Sequence, residues 1–162
     1  MVKFTYKPFY RFVYRYGNLL ITPILLLYML PAISTFSFKF WQVLYLASLT
    51  IIIVYVNKLY YRLYNILPFT IEMDDEKITC TQFLRKDKKI ILYFSEVTKL
   101  KGGLFYGKSK GLMQIDGENI TIGFFHHITG ANIFITKLIQ SVPAEVYKQV
   151  ETKIKSRLEQ LH

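Results

Sequence analysis

Residues 16–57 read YGNLLITPILLLYMLPAISTFSFKFWQVLYLASLTIIIVYVN, and Lys39 is the only charged residue among them. As helices, the uncharged stretches 16–38 and 40–57 are each long enough to cross a hydrocarbon layer of about 30 Å, the second with little to spare. Neither stretch has the polar face that a helix at the surface of a soluble domain would carry. We therefore predict a hairpin of two transmembrane helices.

A cleaved signal peptide is a poorer interpretation of the first stretch. The stretch contains Pro23 and Pro31, and a second apolar stretch follows it. It also lacks the small-residue pattern at which signal peptides are cleaved. We expect it to stay in the chain as a membrane span.

The charges that flank the two stretches predict their orientation. Basic residues precede the first stretch and follow the second, whereas the turn between them offers Lys39 alone. The flanking bases are Lys3, Lys7, Arg11, Arg15, Lys58 and Arg62. Because such bases favour the cytoplasmic side, we expect a multi-pass protein of the inner (cytoplasmic) membrane with both termini in the cytoplasm.

The residues before the first stretch combine aromatic and basic side chains. Lys7, Arg11 and Arg15 are four residues apart, so a helix from Pro8 onward would gather their charges on one side. This pattern is typical of a helix that lies in the headgroup layer of a membrane. We predict that residues 1–15 form an interfacial segment, which either anchors the first span or recognises lipid.

Charge separates this membrane part from the rest of the chain. The whole chain has a formal charge of +10, yet all 11 acidic residues follow Pro68, together with 14 of the 21 basic residues. The excess of positive charge is therefore mostly juxtamembrane, which favours anionic lipid over nucleic acid as a partner. We expect residues 58–68 to form a helical stalk that ends at Pro68 and leads into a separate domain.

From residue 69 the apolar residues alternate with polar ones, which predicts strands. The expected strands cover 69–74, 77–84, 90–94 and 97–101, and a hairpin covers 112–123. An acidic turn at 74–76 would join the first two strands, since Asp tolerates turn conformations that bulky residues resist.

Helical spacing returns near the C-terminus. Asn132 is predicted to cap a helix that runs to about Val142, and Pro143 separates this helix from a second one. The second helix carries a narrow apolar stripe made of Val146, Val150, Ile154, Leu158 and Leu161. Such a stripe fits one partner surface, either on its own domain or on another subunit.

This order of elements resembles that of the bacterial pleckstrin-homology (PH-like) membrane proteins. The resemblance lies in the helical hairpin, a strand near Phe69, a charge-rich turn, the segment YFSEVTKL at 93–100 and one closing helix at 130–142. It implies an α+β domain over 69–142, in which a strongly bent antiparallel sheet forms a partly open barrel capped by that helix. Residues 143–162 would add an amphipathic helix.

The first hairpin loop departs from eukaryotic PH domains, which often bind phosphoinositides through bases there. Its residues Asp74, Asp75 and Glu76 would repel a phosphate. Basic clusters occur elsewhere, at 85–89 and 99–110, and their alternative interpretation is ordinary solvated surface. The candidates for binding anionic lipid are Lys7, Arg11, Arg15, Arg85, Lys86, Lys88 and Lys89.

Residues for catalysis or metal binding do not form a recognisable motif. The sequence contains no phosphate-binding loop, dinucleotide fingerprint or nucleophile elbow. His126 and His127 would point to opposite faces of a strand, and Cys80 fits a small core residue. We expect a protein that is not an enzyme and binds no cofactor or metal.

Together these patterns favour a membrane-anchored interaction module, a scaffold or accessory subunit of a larger membrane complex. Its expected partners are membrane lipids and either another membrane protein or a second copy of the chain, and not nucleic acid. The stripe Val146, Val150, Ile154, Leu158 and Leu161 is the candidate for partner binding. The alternative function is the sensing of anionic lipid headgroups at the inner membrane surface.

Overall fold

The structure is a computed structural model that describes residues 1–83, 88–108 and 110–159. The chain divides into two compact units. The helical unit comprises Phe9–Tyr64, and the sheet unit comprises Met1–Pro8 with the described residues from Asn65 onward.

Two long helices dominate the helical unit. Helix α1 covers Pro8–Ser34 and continues through both of its prolines, and helix α2 covers Phe40–Ile66. They are antiparallel, since the Tyr45 hydroxyl in the first half of α2 donates a hydrogen bond to the Tyr28 carbonyl near the end of α1. At about 1.5 Å per residue each helix is about 40 Å long.

Both helices are long and apolar enough to cross a membrane. Their most apolar 18-residue windows each have a mean hydropathy of 1.7, and 6% of each window is buried. A core helix of a soluble protein would bury most of such a window. Because α2 runs without interruption to Ile66, residues 58–66 of the expected stalk are the last part of this helix, and a strand begins at Pro68.

The sheet unit contains two antiparallel sheets. The first has the strand order β1 (Val2–Thr5), β2 (Pro68–Met73), β3 (Lys77–Phe83) and β4 (Ile90–Tyr93). The second has the order β5 (Lys99–Lys101), β6 (Met113–Asp116) and β7 (Thr121–Phe124). Short 3-10 helices cover Phe94–Glu96 and Gly103–Tyr106. The predicted hairpins are confirmed, and the acidic turn lies between β2 and β3 as expected.

Strand β1 corrects the expected interfacial segment 1–15. Its residues pair with β2, so that Phe4 lies opposite Ile71 and Lys3 contacts Glu72 at 3.5 Å. Phe4 and Tyr6 are each only 2% exposed. Residues 2–5 therefore belong to the sheet, because the Phe4 side chain is part of its core, and helix α1 starts at Pro8 as predicted.

Two helices follow the strands, α3 over Ala131–Ser141 and α4 over Ala144–Glu159. In α3, the buried Phe134 ring contacts Phe4 at 5.1 Å and Phe124 at 4.8 Å between ring centroids. Since Phe4 belongs to one sheet and Phe124 to the other, α3 joins both sheets in one apolar core. Helix α4 belongs to the same compact unit as the strands and α3.

The start of α3 differs from the predicted cap. The helix is preceded by Gly130, whose φ of +74° is a conformation that glycine adopts without steric cost. No side chain caps this helix, and Asn132 lies one residue inside it. The cap prediction was wrong because the chain enters α3 through a left-handed turn.

Candidate functional site

A group of basic side chains lies where α4 passes the 3-10 helix Gly103–Tyr106. An open groove of about 360 Å³ lies between these elements. We call it the basic groove, and it is lined by Tyr106, Lys108, Lys153, Ser156 and Arg157.

Helical spacing places two of these bases together. Lys153 and Arg157 are four residues apart on α4 and therefore share one face. The acidic residues nearest them in sequence on the same helix are Glu151, which forms an ion pair with Lys155 at 2.7 Å, and Glu159. At about 100° per residue, Glu151 is about 160° around the helix from Lys153. Glu159 is likewise about 160° around the helix from Arg157, so neither of these carboxylates shares the face that carries Lys153 and Arg157.

The end of the 3-10 helix approaches this face closely. Gly107 has a φ of +66°, a left-handed conformation that suits glycine, and it ends the 3-10 helix. A Cβ atom at Gly107 would lie 3.2 Å from Cγ of Arg157, which is tighter than ordinary side-chain contact. The glycine therefore lets the chain turn beside α4 and bring Lys108 to the groove.

An aromatic ring holds one of the cations. Nζ of Lys153 lies 4.6 Å from the centroid of the Tyr106 ring. Such a contact attracts the ammonium group without neutralising its charge. Within residues 1–83, 88–108 and 110–159, no carboxylate forms an ion pair with Lys108, Lys153 or Arg157. Among the described residues, the three positive charges of the groove therefore have no ion-pair partner.

The bases predicted to bind lipid are distributed over both units. Lys88 and Lys89 are exposed just before β4, and Nζ of Lys88 lies 3.4 Å from the Asn65 carbonyl and 5.4 Å from the Phe83 ring centroid. Arg85 and Lys86 lie outside the described residues. Lys7 belongs to the sheet unit, whereas Arg11 and Arg15 belong to the helical unit.

The apolar stripe of α4 is divided between core and surface. Val146 and Val150 are each 4% exposed and are part of the core of the sheet unit. They cannot bind a partner, which corrects that part of the prediction, because the stripe packs on its own domain there. Ile154 is half-buried, Leu158 is 55% exposed, and Leu161 lies outside the described residues.

The histidines differ from their predicted geometry. His126 and His127 lie in a turn after β7 and not in a strand. Their rings therefore do not point to opposite faces, and their centroids are 3.9 Å apart. Desolvation lowers the pKa of His127, and the neighbouring His126 and Lys110 lower it further. In the described part of the chain, no group of three or more His, Cys, Asp or Glu side chains could hold a metal ion.

Cys80 is a core residue, as predicted. It is fully buried in β3, and this burial raises the pKa of its thiol. A protonated thiol without access to solvent is neither a nucleophile nor a metal ligand.

A polar cluster in the helical unit was not found from the sequence. Asn18 Nδ2 donates to Oδ1 of Asn57 at 2.9 Å, and the Thr22 hydroxyl donates to Oδ1 of Asn18 at 2.9 Å. Asn57 Nδ2 then donates to the Thr22 hydroxyl at 3.2 Å and closes the ring. The sequence signal was an asparagine in each apolar stretch, since amides in such stretches can bond to each other between paired helices.

Comparisons with protein-family models, with curated proteins and with solved structures find no significant match to this chain.

Proposed function

We propose that this protein is a membrane-anchored, non-catalytic interaction module that acts as a scaffold or accessory subunit in a larger membrane complex. Helices α1 and α2 would be its anchor, and the sheet unit would be a PH-like domain that engages partners. The observation that carries this proposal is the pair of long helices whose apolar side chains stay exposed.

The distribution of polar groups supports insertion of the helices into a bilayer. The amides of Asn18 and Asn57 bond to each other between the helices, while Leu, Ile and Val side chains cover the outside. In hydrocarbon this arrangement satisfies the polar groups and leaves apolar surface towards lipid. In water the same helices would expose a large apolar surface at a high cost in free energy.

Strand pairing supports two crossings. Strand β1 precedes α1 and strand β2 follows α2, yet the two strands pair as neighbours in one sheet. A chain that crosses a membrane twice returns to the side from which it started. Together with the basic flanks of the helices, this pairing favours a cytoplasmic sheet unit and an outer turn at residues 35–39.

Cysteine labelling in intact cells tests this arrangement. The single native thiol, Cys80, is buried, so the unsubstituted chain serves as the background. A membrane-impermeant maleimide should label Ser37→Cys in intact cells and Glu159→Cys only after lysis. Labelling of both positions before lysis would contradict the two-span proposal, and the reverse order would contradict the orientation.

The surface half of the α4 stripe is the proposed contact for a protein partner. Leu158 leaves its apolar side chain in solvent, and Ile154 lies half-buried one turn before it. We expect a stoichiometric partner to copurify with the full chain in mild detergent and to survive a high-salt wash, since an apolar contact is not screened by salt.

A charged residue at position 158 tests whether this surface binds the partner. Leu158→Glu should release the partner, whereas Gln149→Glu, which adds the same charge at an exposed position of α4, should retain it. Retention of the partner by Leu158→Glu would exclude this surface, and a chain that purifies alone would remove the main support for a subunit role.

The second candidate function is recognition of anionic headgroups by exposed bases. Lys88 and Lys89 are both exposed on the sheet unit. Each basic residue near an anionic membrane surface contributes about 1 kcal/mol to the free energy of binding. We expect Lys88→Gln with Lys89→Gln to reduce capture of phosphatidylserine vesicles by the full chain at low salt, and capture that does not depend on these residues would argue against this candidate.

A further inference from the structure

We propose that the basic groove is a binding site for a phosphate group. The inference goes beyond the proposed function and does not rest on membrane insertion, since all residues of the groove belong to the sheet unit. None of the bases predicted to bind lipid lines this groove, so the site is separate from the surface of Lys88 and Lys89.

The charge of the groove matches a doubly charged anion. Lys108, Lys153 and Arg157 reach it from two elements, and no described carboxylate pairs with any of them. Three cations that are held together repel one another, so a bound dianion relieves more of this repulsion than a single carboxylate would. Phosphate is the common biological group with this charge.

The side chains also match the shape of a phosphate. The planar guanidinium of Arg157 can donate two parallel hydrogen bonds to two phosphate oxygens. The ammonium groups of Lys108 and Lys153 can serve the remaining oxygens as point charges. Because the Tyr106 ring holds Lys153 in position, less side-chain entropy is lost when the ligand binds.

The groove leaves room for a phosphate that is part of a larger molecule. About 360 Å³ is within the usual range for a small-ligand site and is more than one phosphate group fills. The carrier could be a soluble phosphorylated molecule or a lipid with a phosphate headgroup. Both sources present the same chemistry to Lys153 and Arg157.

Calorimetric titration of the full chain in a nonionic detergent tests the proposal and separates the two sources. In one arm the probe is inorganic pyrophosphate, and in the other it is phosphatidic acid in mixed micelles, with phosphatidylcholine micelles as the blank. Heat of binding in the first arm alone identifies a soluble ligand, heat in the second arm alone identifies a headgroup, and heat in both arms identifies a site that accepts either source. Each of these results supports the site, whereas heat in neither arm overturns it.

Two double variants distinguish binding at the groove from a general effect of the net charge of the chain. Lys153→Gln with Arg157→Gln should weaken binding about tenfold or more, because two charge-assisted contacts are lost. Lys148→Gln with Lys155→Gln removes the same charge from exposed positions of α4 and should change the affinity less than about twofold. Equal losses in the two variants would overturn the proposal, and so would equally tight binding of succinate, a dianion without phosphate.

All four substituted side chains reach solvent, so the variants should fold like the native chain. Thermal unfolding of each variant checks this point. Tyr106→Leu offers a second test, because it keeps all three charges and removes the aromatic ring beside Lys153. We expect it to weaken pyrophosphate binding by about threefold, and an unchanged affinity would show that the ring does not contribute.

Discussion

The helical unit and the sheet unit distribute the same kinds of side chain in opposite ways. In the helical unit the amides of Asn18 and Asn57 lie between the helices, and apolar side chains cover the outside. In the sheet unit the rings of Phe4, Phe124 and Phe134 meet inside, and lysines and glutamates cover the surface. This difference is what the proposed membrane anchor and its water-exposed domain require.

The chain contains one natural probe for each unit. Trp41 is its only tryptophan and lies near the start of α2. Cys80 is its only cysteine and is buried in β3, so a thiol reagent reaches it only when the sheet unit opens. Trp41 fluorescence and the rate of Cys80 labelling therefore report on the two units separately.

The largest expected effect comes from a charge inside the sheet unit. Val150→Glu buries a carboxyl group at a position that is 4% exposed and should cost about 4 kcal/mol or more. Such a loss is most of the stability of an ordinary domain. We expect rapid labelling of Cys80 in this variant.

Leu158→Glu is the matched control, because it places the same charge on the same stripe of α4 at a position that is 55% exposed. Its Cys80 should stay as protected as in the native chain. Equal protection of Cys80 in both variants would show that the first half of the stripe is not part of the core.

A second substitution compares identical residues in the two units. Phe4→Ala removes a ring that is 2% exposed and packs on Phe134, and it should destabilise the sheet unit by about 3 to 4 kcal/mol. Phe9→Ala removes a ring that is 69% exposed and should leave Cys80 labelling unchanged. Denaturant titration of both variants, followed by Cys80 labelling, measures the difference. Similar curves would contradict the assignment of residues 2–5 to the sheet.

The sequence contained the signal for β1, but a stronger pattern obscured it. Phe4 and Tyr6 alternate with Lys3, Thr5 and Lys7, which is the period of two expected of a strand. Bases at intervals of four favoured an interfacial helix instead, and α1 does begin where that pattern predicted, at Pro8. The pairing of β1 could not be predicted locally because its partner β2 follows it by more than sixty residues.

The later elements were predicted because their signals are local. Turn residues at 74–76 and 117–120 separate short alternating runs, and the apolar spacing after Gly130 is helical. The basic groove was not predicted, since it joins Lys108 to Lys153 and Arg157 across more than forty residues. Only the packing of α4 on the 3-10 helix brings these side chains together.

A smaller effect is expected in the helical unit. Asn57→Leu removes the hydrogen bonds to Asn18 and Thr22 and should destabilise the helix pair by about 1 kcal/mol, the usual range for polar contacts between membrane helices. Unfolding by sodium dodecyl sulfate in mixed micelles, followed by Trp41 fluorescence, measures this loss. Ser48→Leu is a control on the same helix, because it removes a local hydrogen bond to the Tyr45 carbonyl. The detergent concentration at the midpoint of its unfolding should not fall.

The smallest effect comes from the acidic turn of the sheet unit. The Asp74 carboxylate accepts hydrogen bonds from the backbone N–H groups of Glu76 at 3.0 Å and Lys77 at 2.8 Å. These bonds, the Glu76 bond first, lower the pKa of Asp74 below its ordinary value of 3.8. The stabilisation is therefore present above pH 3.8 and is lost as the pH falls through the lowered pKa of the folded state.

Asp74→Asn keeps an acceptor oxygen at the turn and removes the titrating group, so it isolates the charge. We expect the native chain to have the higher Tm at pH 7 and the difference to narrow as the pH is taken below 3.8. Thermal unfolding of both chains over this pH range, monitored by circular dichroism, measures the difference in Tm. A gap that stays constant with pH would mean that the charge of Asp74 contributes nothing. The turn would then depend on hydrogen-bond geometry alone, as the Asn18 and Asn57 contact in the helical unit does.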